Sequence, residues 1–169
     1  MNRLFLLDPA PSQSAWMEYV PACVAPPFTP PGLPVEFGIL PNKEIEARIA
    51  HHLVSPEWTI ICEDVNAAGT AGQETFDTCR TIARFEMLAE MSGVRFERFP
   101  RTLVKQFLLG NPSGKDPLIR GALIKAYKLP SDAKKKDMGM LAGVAKDTWA
   151  ALAVGVAWDM REVLKKITR

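Results

Sequence analysis

Apolar residues fall along this chain in short blocks, and their spacing changes period several times. Leu4 to Leu7 is a run of four apolar residues closed by Asp8, which predicts a short buried strand over 3–8. The turn-prone stretch Pro9 to Ser14 separates it from a second apolar segment, Ala15 to Val20. Pro26 to Pro34 is too proline-rich for a helix or a central strand, because proline lacks the ladder donor. It predicts an exposed connector into a third strand, Val35 to Leu40, so that two or three antiparallel strands come first. Trp58 to Glu63 and the alternating Val94 to Phe99 add two more strands. Elsewhere the period is helical. Asn42 is placed to cap a helix that carries Ile45, Ile49, His52 and Leu53 on one face. Thr75 to Met91 reads as a strong amphipathic helix. Short helices follow at 101–109 and 115–128, and Pro130 stops the second. Lys134 to Asp137 marks a loop or a helix start, and a last helix covers about 146 to 167. This order describes a mixed sheet with helices against it, in one domain over 1–169 with no internal repeat.

Composition narrows the class without naming a function. Of 169 residues, 47% are hydrophobic and 24% charged, which fits a globular chain with a full core. No apolar run reaches the roughly 18 residues that span a bilayer. The few apolar residues before Asp8 are too short for a signal peptide, so no membrane association and a cytosolic location are expected. Cys23, Cys62 and Cys79 form no C-x-x-C pair, and Cys62 and Cys79 are expected to be buried apolar residues. The net charge is only +2, yet sixteen of the 21 basic residues lie from Arg95 onward. That half suits a phosphate backbone, or simply solvated helix faces.

Candidate chemistry rests on three acids at the mouths of apolar runs. Asp8 closes the first strand, Glu63 closes Trp58 to Cys62, and Asp147 opens the stretch Ala150 to Trp158. A carboxylate ending a buried strand is costly unless a cation or several donors meet it. If the fold gathers the three, they form an oxygen-ligand site suited to Mg²⁺.

With these residues in hand, the chain resembles a family. Asp8-Pro9-Ala10-Pro11-Ser12-Gln13-Ser14-Ala15-Trp16 looks like the opening of RuvC-type Holliday-junction resolvases. Ile60-Ile61-Cys62-Glu63-Asp64-Val65 resembles their glutamate-bearing strand, and Thr75 to Arg84 the long helix after it. Pro100-Arg101-Thr102-Leu103-Val104-Lys105, then Gly110-Asn111 and Lys115, resembles the series before the final helix. Asp147-Thr148-Trp149-Ala150-Ala151-Leu152-Ala153 looks like the D-x-x-D-A-L-A pattern on that helix. The resemblance runs over nearly the whole chain and in the right order.

It implies an α/β, ribonuclease-H-like fold: a mixed five-stranded sheet, three antiparallel strands then two parallel, flanked by helices. It implies a Mg²⁺-dependent crossover-junction endodeoxyribonuclease that resolves four-way junctions as a homodimer. Two Mg²⁺ ions per site, with Mn²⁺ as a substitute, would be held by Asp8, Glu63 and Asp147. Lys115 is the expected catalytic lysine, and Lys105, Lys115, Phe76 and Arg80 are the expected DNA contacts. The location implied is cytoplasmic and DNA-associated, or the host cytoplasm if the chain is phage-encoded. The helix Thr75 to Met91, whose Phe76, Ile82, Phe85, Met87 and Leu88 exceed one face, is the expected dimer interface, with plain packing on the sheet as the alternative.

The departures carry as much information. Where the family has a second aspartate on the last helix, three residues after the first and so on the same face, this chain has Ala150. The alanine is a change made to silence cutting, a natural residue with another group completing the site, or a sign that only binding is kept. Asp159 is a poor substitute, about 120° around and some 18 Å along a helix from Asp147. Asp64, next to Glu63 on a strand, points to the opposite face. Ala10 replaces the family's glycine, which should cost backbone freedom in the turn. His51 and His52 read as surface or packing residues. Trp16, Phe76, Phe85 and Trp149 read as core, with a sharper alternative for Phe76 of stacking on an unpaired base at the junction centre. A nuclease for RNA–DNA hybrids or other branched substrates, and a branched-DNA-binding protein with a degenerate site, are the competing functions.

Overall fold

The computed structural model describes residues 3–22, 31–65, 71–130 and 138–168. Cys23, most of the proline-rich stretch, residues 66–70 and Lys134 to Asp137 lie outside these residues. Strands β1 (Arg3–Asp8), β2 (Gln13–Val20), β3 (Leu33–Pro41), β4 (Trp58–Asp64) and β5 (Arg95–Pro100) form one sheet in the order β3-β2-β1-β4-β5. The β1/β2 and β2/β3 pairs are antiparallel, while β1/β4 and β4/β5 are parallel. Helices α1 (Asn42–His51), α2 (Gln73–Met91), α3 (Arg101–Leu109), α4 (Pro117–Ala126) and α5 (Thr148–Ile167), with a 3-10 turn at Gly139–Leu141, are the other elements among the described residues. This is the expected mixed α/β sheet.

Both faces of the central strands are covered, which is why β1 and β4 read as unbroken apolar runs rather than alternating ones. Phe5, Leu7, Ile60 and Cys62 pack with Ile45 and Ile49 of α1 and Ile82 and Phe85 of α2. Leu4, Leu6 and Ile61 pack on the other side with Val104 of α3, Leu123 of α4 and Leu152 of α5. Helix α5 comes close enough to the sheet that a Cβ built at Gly155 would lie 2.5 Å from Leu6 Cδ1.

Several local expectations need correction. Asn42 does not cap α1; Pro41 holds that position and Asn42 is the first helical residue, buried. Its amide is used elsewhere: Ser14 Oγ donates to Asn42 Oδ1 at 2.7 Å, and Asn42 Nδ2 donates to the Ala10 carbonyl at 2.9 Å. Ala10 N–H donates to Ser14 Oγ at 3.2 Å, so this triangle fixes the turn after Asp8. Only Lys128 and Lys146 have positive φ among the described non-glycine residues, so Ala10 fills a turn that does not require glycine. His52 is exposed rather than on the inner face of α1, as is His51, and Cys79 is exposed while Cys62 is buried. No helix among the described residues is long and apolar enough to cross a membrane.

Candidate active site

Strand parity decides which way the acids point. Side chains alternate along a strand, so Asp8 continues the row of Leu4 and Leu6, and Glu63 that of Ile61. Both carboxylates therefore emerge on the face covered by α5. The parallel β1/β4 register pairs Leu7 with Cys62, which sets Asp8 and Glu63 on the next rung. Asp64 points to the other face as expected, where Arg98 Nη1 lies 3.9 Å away. Asp8, Pro9, Glu63, Asp64, Val65 and Arg101 line a cleft of about 210 Å³ at this end of the sheet.

The two acids are a strained electrostatic pair. Burial, and then the charge of Glu63, pushes the Asp8 carboxyl up to about 8. Burial also raises Glu63, which is 5% exposed, against the opposing pull of Arg101. Arg101, the first residue of α3, places Nη1 2.7 Å from Glu63 Oε1 and Nη2 3.1 Å from Asp116 Oδ2. One turn later Lys105 places Nζ 2.9 Å from Asp116 Oδ1. Arg101 and Asp116 were not among the expected site residues. The signal was present: β5 pairs Phe99 with Glu63, so a residue just past Pro100 starts a helix beside that carboxylate.

The third acid stands apart. Asp147 occupies the N-cap position of α5, exposed, after Lys146 in left-handed conformation. Its charge is felt at Asp8, but among the described residues no three acidic, histidine or cysteine side chains lie close enough to hold an ion. The structure thus brings Asp8 and Glu63 together and leaves Asp147 at the lip. Ala150 lies in the first turn of α5, its N–H donating to the Asp147 carbonyl at 2.9 Å. Asp159 is occupied elsewhere: Tyr19 Oη donates to Oδ2 at 2.6 Å, as does Gly32 N–H at 2.9 Å. The donor set nevertheless fits a divalent cation. It is all carboxylate oxygen, and a cation there would relieve the crowding that raises both carboxyls.

The expected DNA contacts differ in their settings. Lys115 is exposed and makes no ion pair among the described residues, whereas Lys105 is half-buried and paired with Asp116. Phe76 is 54% exposed, so the core reading fails for it while it holds for Trp16 and Phe85. Trp149 is half-buried, with the Arg120 guanidinium 5.3 Å from its ring centre. Arg80 is exposed and paired with Asp77 at 2.8 Å. On α2, Ile82 and Phe85 face the sheet, and Phe76, Met87 and Met91 remain outside.

No family model matches the chain, and no curated protein does. Solved structures do. Thermus thermophilus RuvC matches with a TM-score of 0.67 at 12% identity, over 96% of each chain. The same protein in complex with Holliday junction substrate matches at 0.65 and 13% identity, over 98% of this chain and 97% of that one. Fowlpox virus resolvase with its substrate Holliday junction DNA matches at 0.58 and 9% identity, over 96% and 99%. At these identities the likeness establishes the architecture: this chain has the ribonuclease-H-like fold in the form found in RuvC.

Proposed function

We propose that this protein is a branched-DNA endonuclease of the junction-resolving kind, acting as a homodimer on four-way junctions. The observation that carries it is the pair of the half-buried Asp8 and the buried Glu63, set side by side where two parallel strands end. It sits in a fold whose solved structures include two in complex with Holliday junction DNA. Asp8 and Glu63 would hold Mg²⁺ or Mn²⁺ from the sheet, and Asp147 would contribute from the lip. Two such ions supply a water activated at neutral pH and positive charge at the leaving 3′ oxygen. Lys115 is free to neutralise a phosphate beside the cleft, and Lys105 can do so by leaving Asp116. Phe76 offers an exposed ring for stacking on an unpaired base. Two symmetric nicks need two sites on a two-fold axis, and the outward face of α2 with Phe76, Met87 and Met91 suits that contact.

A second reading rests on Ala150 and on the ion pair that already occupies Glu63: the chain binds junctions and does not cut them. The deciding experiment is Mg²⁺-dependent nicking of a synthetic four-way junction, a flap, a duplex and an RNA–DNA hybrid by the parent protein and Ala150→Asp. Cleavage confined to the junction, appearing or rising in Ala150→Asp, is the expected result. Junction binding without cleavage by either protein supports the second reading, and preference for the hybrid rejects both.

A further inference from the structure

Glu63 is the most buried of the three acids, and its partner is an arginine held at both ends. One guanidinium nitrogen lies 2.7 Å from Glu63 Oε1 and the other 3.1 Å from Asp116 Oδ2. The two acids differ in setting. The Glu63 side chain is 6% exposed and that of Asp116 is 56% exposed, so the first is far harder to leave without a counter-charge. A divalent cation bound to Glu63 would face the guanidinium across a single carboxylate group, and the two positive charges would repel. Asp116 offers Arg101 somewhere to remain, and Lys105, 2.9 Å from the other Asp116 oxygen, keeps that carboxylate in place. The three residues lie on α3 and in the segment just before α4, outside the acid set itself.

We propose that Arg101 is a built-in stand-in for the metal: it neutralises Glu63 in the metal-free protein and passes to Asp116 when a divalent cation enters. Arg101 is thus a positioning residue that sets metal affinity, and Asp116 is its docking point. The inference rests on the reading of Asp8 and Glu63 as metal ligands. It makes two predictions of opposite sign. Removing Arg101 removes the competitor and tightens metal binding, whereas removing Asp116 leaves Arg101 with Glu63 alone and weakens it.

The test is Mn²⁺ titration, followed by calorimetry and by the spin signal of free Mn²⁺, on the full chain and on Arg101→Gln, Asp116→Asn and Glu63→Gln. Arg101→Gln should bind roughly tenfold tighter or more, the scale of one charge-assisted hydrogen bond released from the metal-free state. It should also gain more thermal stability from Mn²⁺ than the parent does. Asp116→Asn should bind several-fold more weakly. Because Asp116 is exposed, that variant tests the idea even if Arg101→Gln folds poorly. Unchanged affinity in both variants, or shifts of the same sign, overturns the inference while leaving the metal site standing if Glu63→Gln has lost binding. Glu63→Gln binding like the parent overturns the metal site and the inference with it.

Discussion

Asp8 and Glu63 lie on one rung of two parallel strands, and the structure gives this pair of acids one direct cationic partner, Arg101 on Glu63. Asp8 has none among the described residues, and this is visible in its proton affinity. With its carboxyl raised from an ordinary 3.8 to about 8, the folded protein holds a proton there that the unfolded chain releases. Stability in metal-free buffer therefore falls as pH rises from about 4 to about 8, by on the order of a few kcal/mol. Asp8→Asn should raise the melting temperature by roughly 5 °C or more above that window and leave it nearly unchanged below it. Melting curves across pH in the presence of a chelator decide the matter. Identical pH profiles for the two proteins would show that Asp8 ionises without cost.

Phe76 is a large apolar side chain more than half in solvent, so its removal should not disturb the fold. Phe76→Ala is expected to unfold within about 0.5 kcal/mol of the parent. Its affinity for a four-way junction should drop by roughly 1–3 kcal/mol, the range of one base stacked on an aromatic ring. Equal junction affinity by fluorescence anisotropy would rule out the stacking role.

Lys115 and Lys105 should separate in their salt dependence. Lys115 is exposed and unpaired among the described residues, so Lys115→Ala should lower the slope of log affinity against log salt by about one. Lys105 is already paired with Asp116 at 2.9 Å, so Lys105→Ala should change that slope less. Equal slopes for both variants would contradict the difference in their surroundings.

Asp159 should prove structural. Its carboxylate accepts from Tyr19 Oη, Gly32 N–H and Ala22 N–H, and it is 6% exposed. Asp159→Ala strands those donors and should cost about 2–4 kcal/mol in denaturant unfolding. Mn²⁺ affinity of the folded variant should equal the parent's, and a loss would mean that Asp159 reaches the acid site after all.

The strands were legible as unbroken apolar runs, and the direction of the acids follows because side chains alternate along a strand whatever its burial. Leu4-Leu6-Asp8 and Ile61-Glu63 could only emerge on one face once β1 and β4 paired in parallel. The α3 boundaries were legible too, since Pro100 and Gly110 punctuate it; Gly110 ends the helix at a φ of 67°. What escaped the sequence depended on contacts between distant segments. Asn42 looks like a cap until Ser14 and Ala10 claim its amide, and Cys79 looks apolar until Ile82 and Phe85 turn it outward. Whether the fold gathers Asp147 with the other acids could not be read from the sequence, because it depends on how α5, whose N-cap position Asp147 holds after Lys146 at a φ of 48°, is set against the sheet. Arg101 read as one letter of a motif, and its ion pairs required Glu63 and Asp116 to be placed first.

The bare backbone of Gly155 against Leu6 bears on what a substitution at position 150 would do. Helix α5 is seated on the strand that carries Asp8, with no side chain at that point to wedge the two apart. Five residues upstream on the same rigid helix, Ala150 is carried by that seating, and nothing in it depends on which side chain position 150 bears. An aspartate at position 150 would therefore change the chemistry at the start of α5 without touching the contact that seats the helix, so Ala150→Asp should fold like the parent whatever it does to cleavage.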